Sequence, residues 1–252
     1  MVSRHGGRAA AKDPVTPSPD SDDETRTLAD RYTEIAALAG ALAHEIKNPL
    51  STIRLNMELL AEDFGPAEST RDRRALAKVN TVLRECQRLQ DLLDDFLKFA
   101  RLRPLRLESC SLNDQIERAL DFFQPQAEES SIEIVRYLDP DLPAVRLDRE
   151  TFQGALLNLL LNAQQAMPGG GQFVVRSKPT PSGVAIDLID TGVGMDEKTR
   201  SQIFRAFYST KPAGSGLGLP TSCKIIEAHG GTISVQSEPG RGTQFTIELP
   251  AG

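Results

Sequence analysis

Between residues 28 and 60, the apolar side chains Leu28, Tyr32, Ile35, Leu38, Leu42, Ile46, Ile53, Met57 and Leu60 recur at steps of three, four or seven. That spacing draws one stripe down a long amphipathic helix. Gly65-Pro66 supplies its stop. A second stripe runs through Leu76, Val79, Leu83, Cys86, Leu93, Phe96 and Ala100. Two helices of about 30 residues joined by so short a loop fold back on each other as an antiparallel hairpin. A lone hairpin leaves half of its apolar stripe in water. Burial alone therefore implies two copies packed as a four-helix bundle, a homodimer.

Past the connector at 101–107 the periodicity becomes mixed. Ser111 is placed to cap a helix running to about Glu129. Residues 132–138 read as a strand and 148–167 as a strongly apolar helix. Residues 173–177 and 184–189 read as strands, 217–228 as a helix, and 232–235 with 244–249 as closing strands. Helices and strands interleave without regular alternation, which predicts an α/β sandwich and not a doubly wound sheet. The overall class is α+β, and nothing in the chain repeats. The domains expected are a disordered tail at 1–25, a helical domain at 26–103 and an α/β domain at 104–252. The tail carries Pro14, Pro17 and Pro19 ahead of Asp20, Asp22, Asp23 and Glu24, with too little apolar surface to offset its ordering entropy.

Composition narrows the function classes. The 252 residues are 39% hydrophobic and 25% charged with a net charge of −6, as in an ordinary globular protein. That balance argues against a nucleic-acid binder, which would show a basic stripe. The longest apolar run, residues 35–43, falls far short of the roughly 18 residues that suggest a membrane span. No signal peptide is visible at the N-terminus. Cys86, Cys110 and Cys223 are odd in number and far apart, which fits reduced thiols and a cytoplasmic protein.

His44, one of three histidines, sits in "ALAHEIKNPLSTI". Two residues from Leu42 and two from Ile46, it points away from the apolar seam toward solvent. Taken alone it reads as a plain surface histidine on a charged helix face. Its neighbours add chemistry. Glu45 can accept the Nδ1 proton and leave the Nε2 lone pair as a nucleophile. Pro49 cannot donate to the Glu45 carbonyl, and a proline inside a helix costs about 3 kcal/mol. A helix that keeps such a fault one turn from an exposed His-Glu pair is expected to use the bend, with a harmless kink as the alternative.

Two glycine clusters follow. "DTGVGM" (190–195) comes after an apolar strand and "GSGLGL" (214–219) leads into a helix. Glycines let a backbone approach a phosphate, and a helix start offers free N–H groups. Neither cluster is a Walker loop and the first is not a dinucleotide fingerprint, since its third glycine is missing, and glycine-rich turns are mostly just turns. Asn158 and Asn162 are four apart on one face of the apolar helix. Amides in such surroundings need partners: a magnesium ion with phosphate oxygens, or neighbouring backbone.

In order, "HEIKNPL", "NLLLNAQQAM", "DTGVGM", "IFRAFYSTK" and "GSGLGL" resemble the sensor histidine kinases of two-component systems, over roughly residues 28–250. The short lid segment with its Phe-Tyr-Ser-Thr-Lys run is similar to the nitrogen-regulation-like branch. The resemblance implies that the hairpin is a dimerisation and phosphotransfer domain in which His44 accepts the γ-phosphoryl group. Glu45 would be its acid/base partner, and Asn48 would orient water when the kinase dephosphorylates its partner. The C-terminal part resembles the Bergerat-type ATP-binding fold of gyrase, Hsp90-type chaperones and MutL-type repair proteins. There Asn162 matches the magnesium ligand, with Asn158 on the same helix face. Asp190 matches the carboxylate that reads the adenine amino group, and Gly192 and Gly194 the turn beneath it. Phe204 and Phe207 would anchor the lid and Lys211 would meet the phosphates. Gly214, Gly216, Leu217 and Gly218 would hinge the lid and open its helix.

The implied cofactors are ATP and Mg²⁺. The implied partners are a second copy, a response regulator with a receiver domain and, lacking a recognisable sensor segment, a separate sensory protein. Relatives of this fold that hydrolyse ATP place a glutamate where Asn158 stands, and an amide cannot take a proton from water. Two departures are Gln165, where many members carry a basic residue, and Arg205-Ala206, in place of an acidic residue and proline. His229 before Gly230-Gly231 reads as a helix C-terminal residue favoured by the dipole. A nucleotide-binding scaffold without transferase activity, an ATPase of the same fold and a bare dimerisation hairpin are the competing readings.

Overall fold

The structure is a computed structural model that describes residues 40, 43–64, 69–100, 104–211 and 214–252. The expected tail, His5, the 28–39 part of the first stripe, the Gly65-Pro66 stop and the start of the 101–107 connector lie outside those residues. Leu42 also lies outside them.

Helix α1 covers 43–63 and runs through Pro49 without a break, and α2 spans Thr70–Ala100. They pair as a hairpin around Ala43 and Leu50 on one side and Val79, Cys86 and Leu93 on the other, all buried. Lys47 meets Asp94 across the pair at 2.5 Å. On α1 the buried seam is not the stripe expected from periodicity, whereas the buried residues of α2 all belong to the expected one. Ile46, Ile53 and Leu60 are exposed, three residues on from the buried register. At about 100° per residue they lie some 60° round the helix from it.

The second unit begins with β1 (Glu108–Cys110), which pairs antiparallel with β3 (Val145–Leu147). Sequence patterning shows neither, because three residues are too few to display a period. Helix α3 (Leu112–Glu129) starts where Ser111 accepts the Asp114 N–H at 3.2 Å, a side-chain cap worth about 1 kcal/mol. Its buried face is Leu112, Ile116, Ala119, Leu120 and Phe123. Then come β2 (Ile132–Leu138), α4 (Arg149–Ala166), β4 (Gly171–Thr180), β5 (Gly183–Asp190), α5 (Glu197–Arg200), α6 (Gly218–Ala228), β6 (Thr232–Ser237) and β7 (Thr243–Pro250).

Five strands form a mixed sheet in the order β2-β4-β5-β7-β6, parallel only between β2 and β4. β4 runs longer than expected because Pro179 lies past the end of β2, where no neighbour on that side needs its N–H. One face of the sheet carries Phe173, Val175, Val184, Ile186, Leu188, Phe245, Ile247 and Leu249. It packs on Phe123, Phe152, Leu156, Leu159 and Leu160 of α3 and α4 and on Ile226 of α6. Each such side chain contributes about 1.5–3 kcal/mol when fully buried. Among the described residues the opposite face carries no helix layer, and it is polar at its centre, where Asp187 takes hydrogen bonds from Lys178 at 2.9 Å and Thr246 at 2.8 Å.

His229 corrects the dipole reading. It is buried, its Nε2 accepts the Asp148 N–H at 3.0 Å and its Nδ1 lies 2.7 Å from the Ile225 carbonyl. One acceptor and one donor make a neutral imidazole, so it acts as a tie and not as a cation. Asp148 in turn caps α4, accepting from the Thr151 amide and hydroxyl and from the Arg106 N–H. His229 thus fastens the end of α6 to the start of α4. Among the described residues no helix is long and apolar enough to cross a membrane.

Candidate functional site

A cavity of about 1000 Å³ opens between α4, α6, the β5 end and the loop that joins α5 to α6. At one end lies Asp190, the last residue of β5, only 4% exposed. Asp190 Oδ1 accepts the Gly192 N–H at 2.8 Å and the Thr243 N–H at 3.2 Å. Among the described residues Oδ2 has no hydrogen-bond donor, so it keeps its acceptor capacity for whatever enters. Burial pushes this carboxyl above its ordinary value, against the lowering effect of the two backbone donors. Gly194 lies beside it at φ 65°, where a side chain would overlap the Glu238 carbonyl.

The opposite end of the cavity is built by α4 and the lid. The two asparagines divide their duties. Asn158 Nδ2 donates to Ser222 Oγ at 3.0 Å and Asn162 Nδ2 donates to the Asn158 carbonyl at 2.9 Å. The first bond ties α4 to α6 and the second stays within α4, and both leave the amide oxygens for other work. Asn158 Oδ1 faces Gly218 so closely that a Cβ there would sit 2.6 Å away, which explains glycine as the first residue of α6. Asn162 Oδ1 accepts from Lys211 Nζ at 3.1 Å, and Gln165 Oε1 accepts from the same ammonium. Burial lowers the Lys211 amine from its usual value. An oxygen that already holds an ammonium suits a magnesium ion. Among the described residues no group of three His, Cys, Asp or Glu could hold a metal unaided, so phosphate and water would complete any magnesium shell here.

The lid closes on itself at its neck, where the Phe207 N–H donates to the Gly216 carbonyl at 3.0 Å. Ser209 Oγ accepts from the Lys211 N–H at 3.1 Å, and the Gly214 N–H returns to the Lys211 carbonyl at 3.2 Å. Phe204 packs edge-on against Phe245 with centroids 6.4 Å apart. Phe207 instead stands 61% exposed with φ 64°, so Phe204 is the anchor and Phe207 the turn. Leu217 is fully buried beneath the lid and lines the cavity floor.

Sequence reasoning missed the stem's share of this cavity. Asp95 and Lys98 of α2 line it, and Asp95 Oδ2 accepts from Ser215 Oγ of the lid at 2.7 Å. Lys224 of α6 lies 3.7 Å over the Phe99 ring. Residues 120 apart in sequence carry no local signal of such a contact. His44, Glu45 and Asn48 are all exposed on α1. Among the described residues no hydrogen bond joins the His44 ring to Glu45, because consecutive side chains on a helix diverge by about 100°.

Two family descriptions match the chain: the "His Kinase A (phospho-acceptor) domain" at residues 34–105 and the "Histidine kinase-, DNA gyrase B-, and HSP90-like ATPase" at residues 147–252. The chain belongs to the two-component sensor histidine kinases. The relatives of this chain include the signal transduction histidine-protein kinase AtoS of Escherichia coli, 34% identical over 223 residues, or 88% of this chain and 36% of that protein. Sensor histidine kinase ZraS of Klebsiella oxytoca is 33% identical over 90% of this chain and 48% of its own length. The chain thus spans about a third to a half of the length of these relatives. Among solved structures, full-length ShkA in complex with AMPPNP shares 28% identity over 86% of this chain and 46% of its own, with a TM-score of 0.68. The catalytic domain of histidine kinase ThkA shares 28% over 58% of this chain and 96% of its own, with a TM-score of 0.53.

Proposed function

We propose that this chain is an ATP-dependent protein-histidine kinase that phosphorylates His44 and passes the group to an aspartate of a separate response regulator. The observation that carries the reading is the polar division of the cavity. A buried acceptor, Asp190 Oδ2, waits at one end, and a cation-holding oxygen, Asn162 Oδ1, waits at the other. That pattern fits adenine, whose amino group donates, joined to a phosphate chain that needs positive charge. AMPPNP in the ShkA complex, an ATP analogue, supports the same assignment.

In the reaction the Nε2 lone pair of His44 attacks the γ-phosphorus, the bond to the β-phosphate oxygen breaks and ADP leaves. The Nδ1 proton passes to the Glu45 carboxylate once a rotamer change brings the two together, or to water. Asn162 would hold a magnesium ion, which supplies neutralisation of phosphate charge when bound. The α6 N-terminus at Gly218 adds free backbone N–H groups. Catalysis is then mostly positioning and charge neutralisation. Asn158 lacks the basicity to activate water, so bound ATP is spared until the histidine arrives. Asn48, exposed one turn from His44, would orient water for dephosphorylation of the regulator.

The kinase acts as a homodimer, supported by the exposed Ile53 and Leu89 of the hairpin. A cytoplasmic setting is consistent with its free cysteines and its use of ATP. A separate sensory protein is the proposed source of its signal. The test is incubation of the chain and its His44→Gln variant with γ-labelled ATP. Acid-labile, alkali-stable label on the unaltered chain alone supports the kinase. Steady release of free phosphate without protein label would make it an ATPase, and nucleotide binding with neither would make it a scaffold.

A further inference from the structure

Lys211 is a half-buried ammonium held by two neutral amide oxygens, Asn162 Oδ1 and Gln165 Oε1. Among the described residues no carboxylate pairs with it. Amide carbonyls orient a cation but do not neutralise it, so the charge is left for an anion from the cavity. The two oxygens sit three residues apart on one face of α4 and both residues line the cavity. The backbone of Lys211 is fixed as well, through Ser209 Oγ and the turn to Gly214. A flexible lysine stem is thereby anchored at both ends, which removes most of the rotamer freedom it would otherwise lose on meeting a ligand.

We infer that Gln165 is a positioning residue: with Asn162 it seats the lid's Lys211 ammonium at the phosphate end of the cavity, so that the lid delivers the positive charge this face of α4 lacks. The inference rests on the nucleotide reading above. Gln165 gives the ammonium a second acceptor, one that remains when Asn162 Oδ1 turns to a metal. It also couples lid position to phosphate charge, since the contact that closes the lid is the contact that aims the cation.

The charge should work from either side of the contact. Gln165→Lys puts two ammonium groups face to face and drives the lid off α4. Lys211→Gln leaves the cradle without charge. The double variant carries the same charge on α4 and an amide on the lid. Equilibrium binding of ATP and of adenosine to the full chain, in magnesium and in EDTA, reads the coupling. Each single variant is expected to weaken ATP by about tenfold and leave adenosine unchanged, with the double variant back within about threefold of the unaltered chain. A double variant whose loss equals the product of the singles overturns the inference. So does an equal loss for adenosine, which would mark simple damage to the pocket. Failure of the unaltered chain to bind ATP would overturn the nucleotide reading itself, whereas normal ATP binding without coupling overturns this inference alone.

Discussion

Asp190 carries the specificity argument at the scale of single residues, because its two oxygens do different jobs. Oδ1 holds the Gly192 and Thr243 amides and Oδ2 faces the cavity. Asp190→Asn keeps an acceptor for the two backbone donors but turns an NH₂ toward a ligand amine. The variant is expected to fold with unchanged or slightly raised stability and to lose about 100-fold in ATP affinity, measured by calorimetric titration beside thermal melting. The pH dependence has a definite sign. Burial raises this carboxyl above 3.8, so the folded chain keeps its proton to higher pH than the unfolded chain does. The stabilisation from that proton is present at low pH and lost as pH rises through the raised value. A ligand amine needs the carboxylate, so ATP affinity should fall as pH is lowered through the same window, and Asp190→Asn should flatten that limb. Gln165 also gains a reason at this scale. A neutral acceptor is what a lid lysine needs opposite it, and a basic residue would repel it.

The sequence is most legible at the scale of elements where periods are long, and least where function joins distant segments. The second hairpin helix, α3 with its Ser111 cap, α4 and α6 were all visible, because ten or more residues repeat an apolar face in each. The five sheet strands were visible from short apolar runs bounded by turns, whereas β1 and β3 were too short. The site residues on α4 and β5 stood out because polar groups in apolar elements need a purpose. Asp95, Lys98 and the true role of His229 were hidden, since each depends on a contact across most of the chain. His229 tests this reading. His229→Ala strands the buried Asp148 N–H and empties a ring-sized space against Phe152, whose centroid lies 5.8 Å away. A loss of about 2–4 kcal/mol is expected in urea unfolding. The stem–lid contact predicts a different response. Asp95→Ala removes the partner of Ser215 Oγ, which itself accepts the Leu217 N–H at 3.3 Å. Amide exchange at 214–217 should quicken while the melting temperature barely moves, because partly exposed contacts contribute under about 1 kcal/mol.

The hairpin decides what the whole molecule must be. Its intramolecular seam uses Ala43 and Leu50 of α1 and Val79, Cys86 and Leu93 of α2, positions seven apart within each helix. Three residues further on, Ile46, Ile53 and Leu60 repeat the same interval on α1, and Val82 and Leu89 repeat it on α2. A seven-residue repeat keeps a stripe facing one partner along a left-handed supercoil. Each helix therefore carries two such stripes about 60° apart, one spent within the chain and one left in water. Two copies related by a two-fold axis cover both free stripes at once, which is the geometry of a four-helix bundle. This also explains why the α1 stripe seen in sequence missed the buried register while the α2 stripe contained it: the pattern encodes both contacts, and only one exists within a single chain. Ile53 is 44% exposed and Leu89 49%, so charging them costs little within one hairpin. Across a dimer, the pair Ile53→Glu and Leu89→Glu strips about 1.5–3 kcal/mol of burial per side chain and counts twice by symmetry. Light scattering across a dilution series should show the variant as a monomer where the unaltered chain is a dimer, with ATP affinity retained because the cavity lies elsewhere. A variant that stays dimeric would place the second copy on another surface and leave these heptads without a purpose.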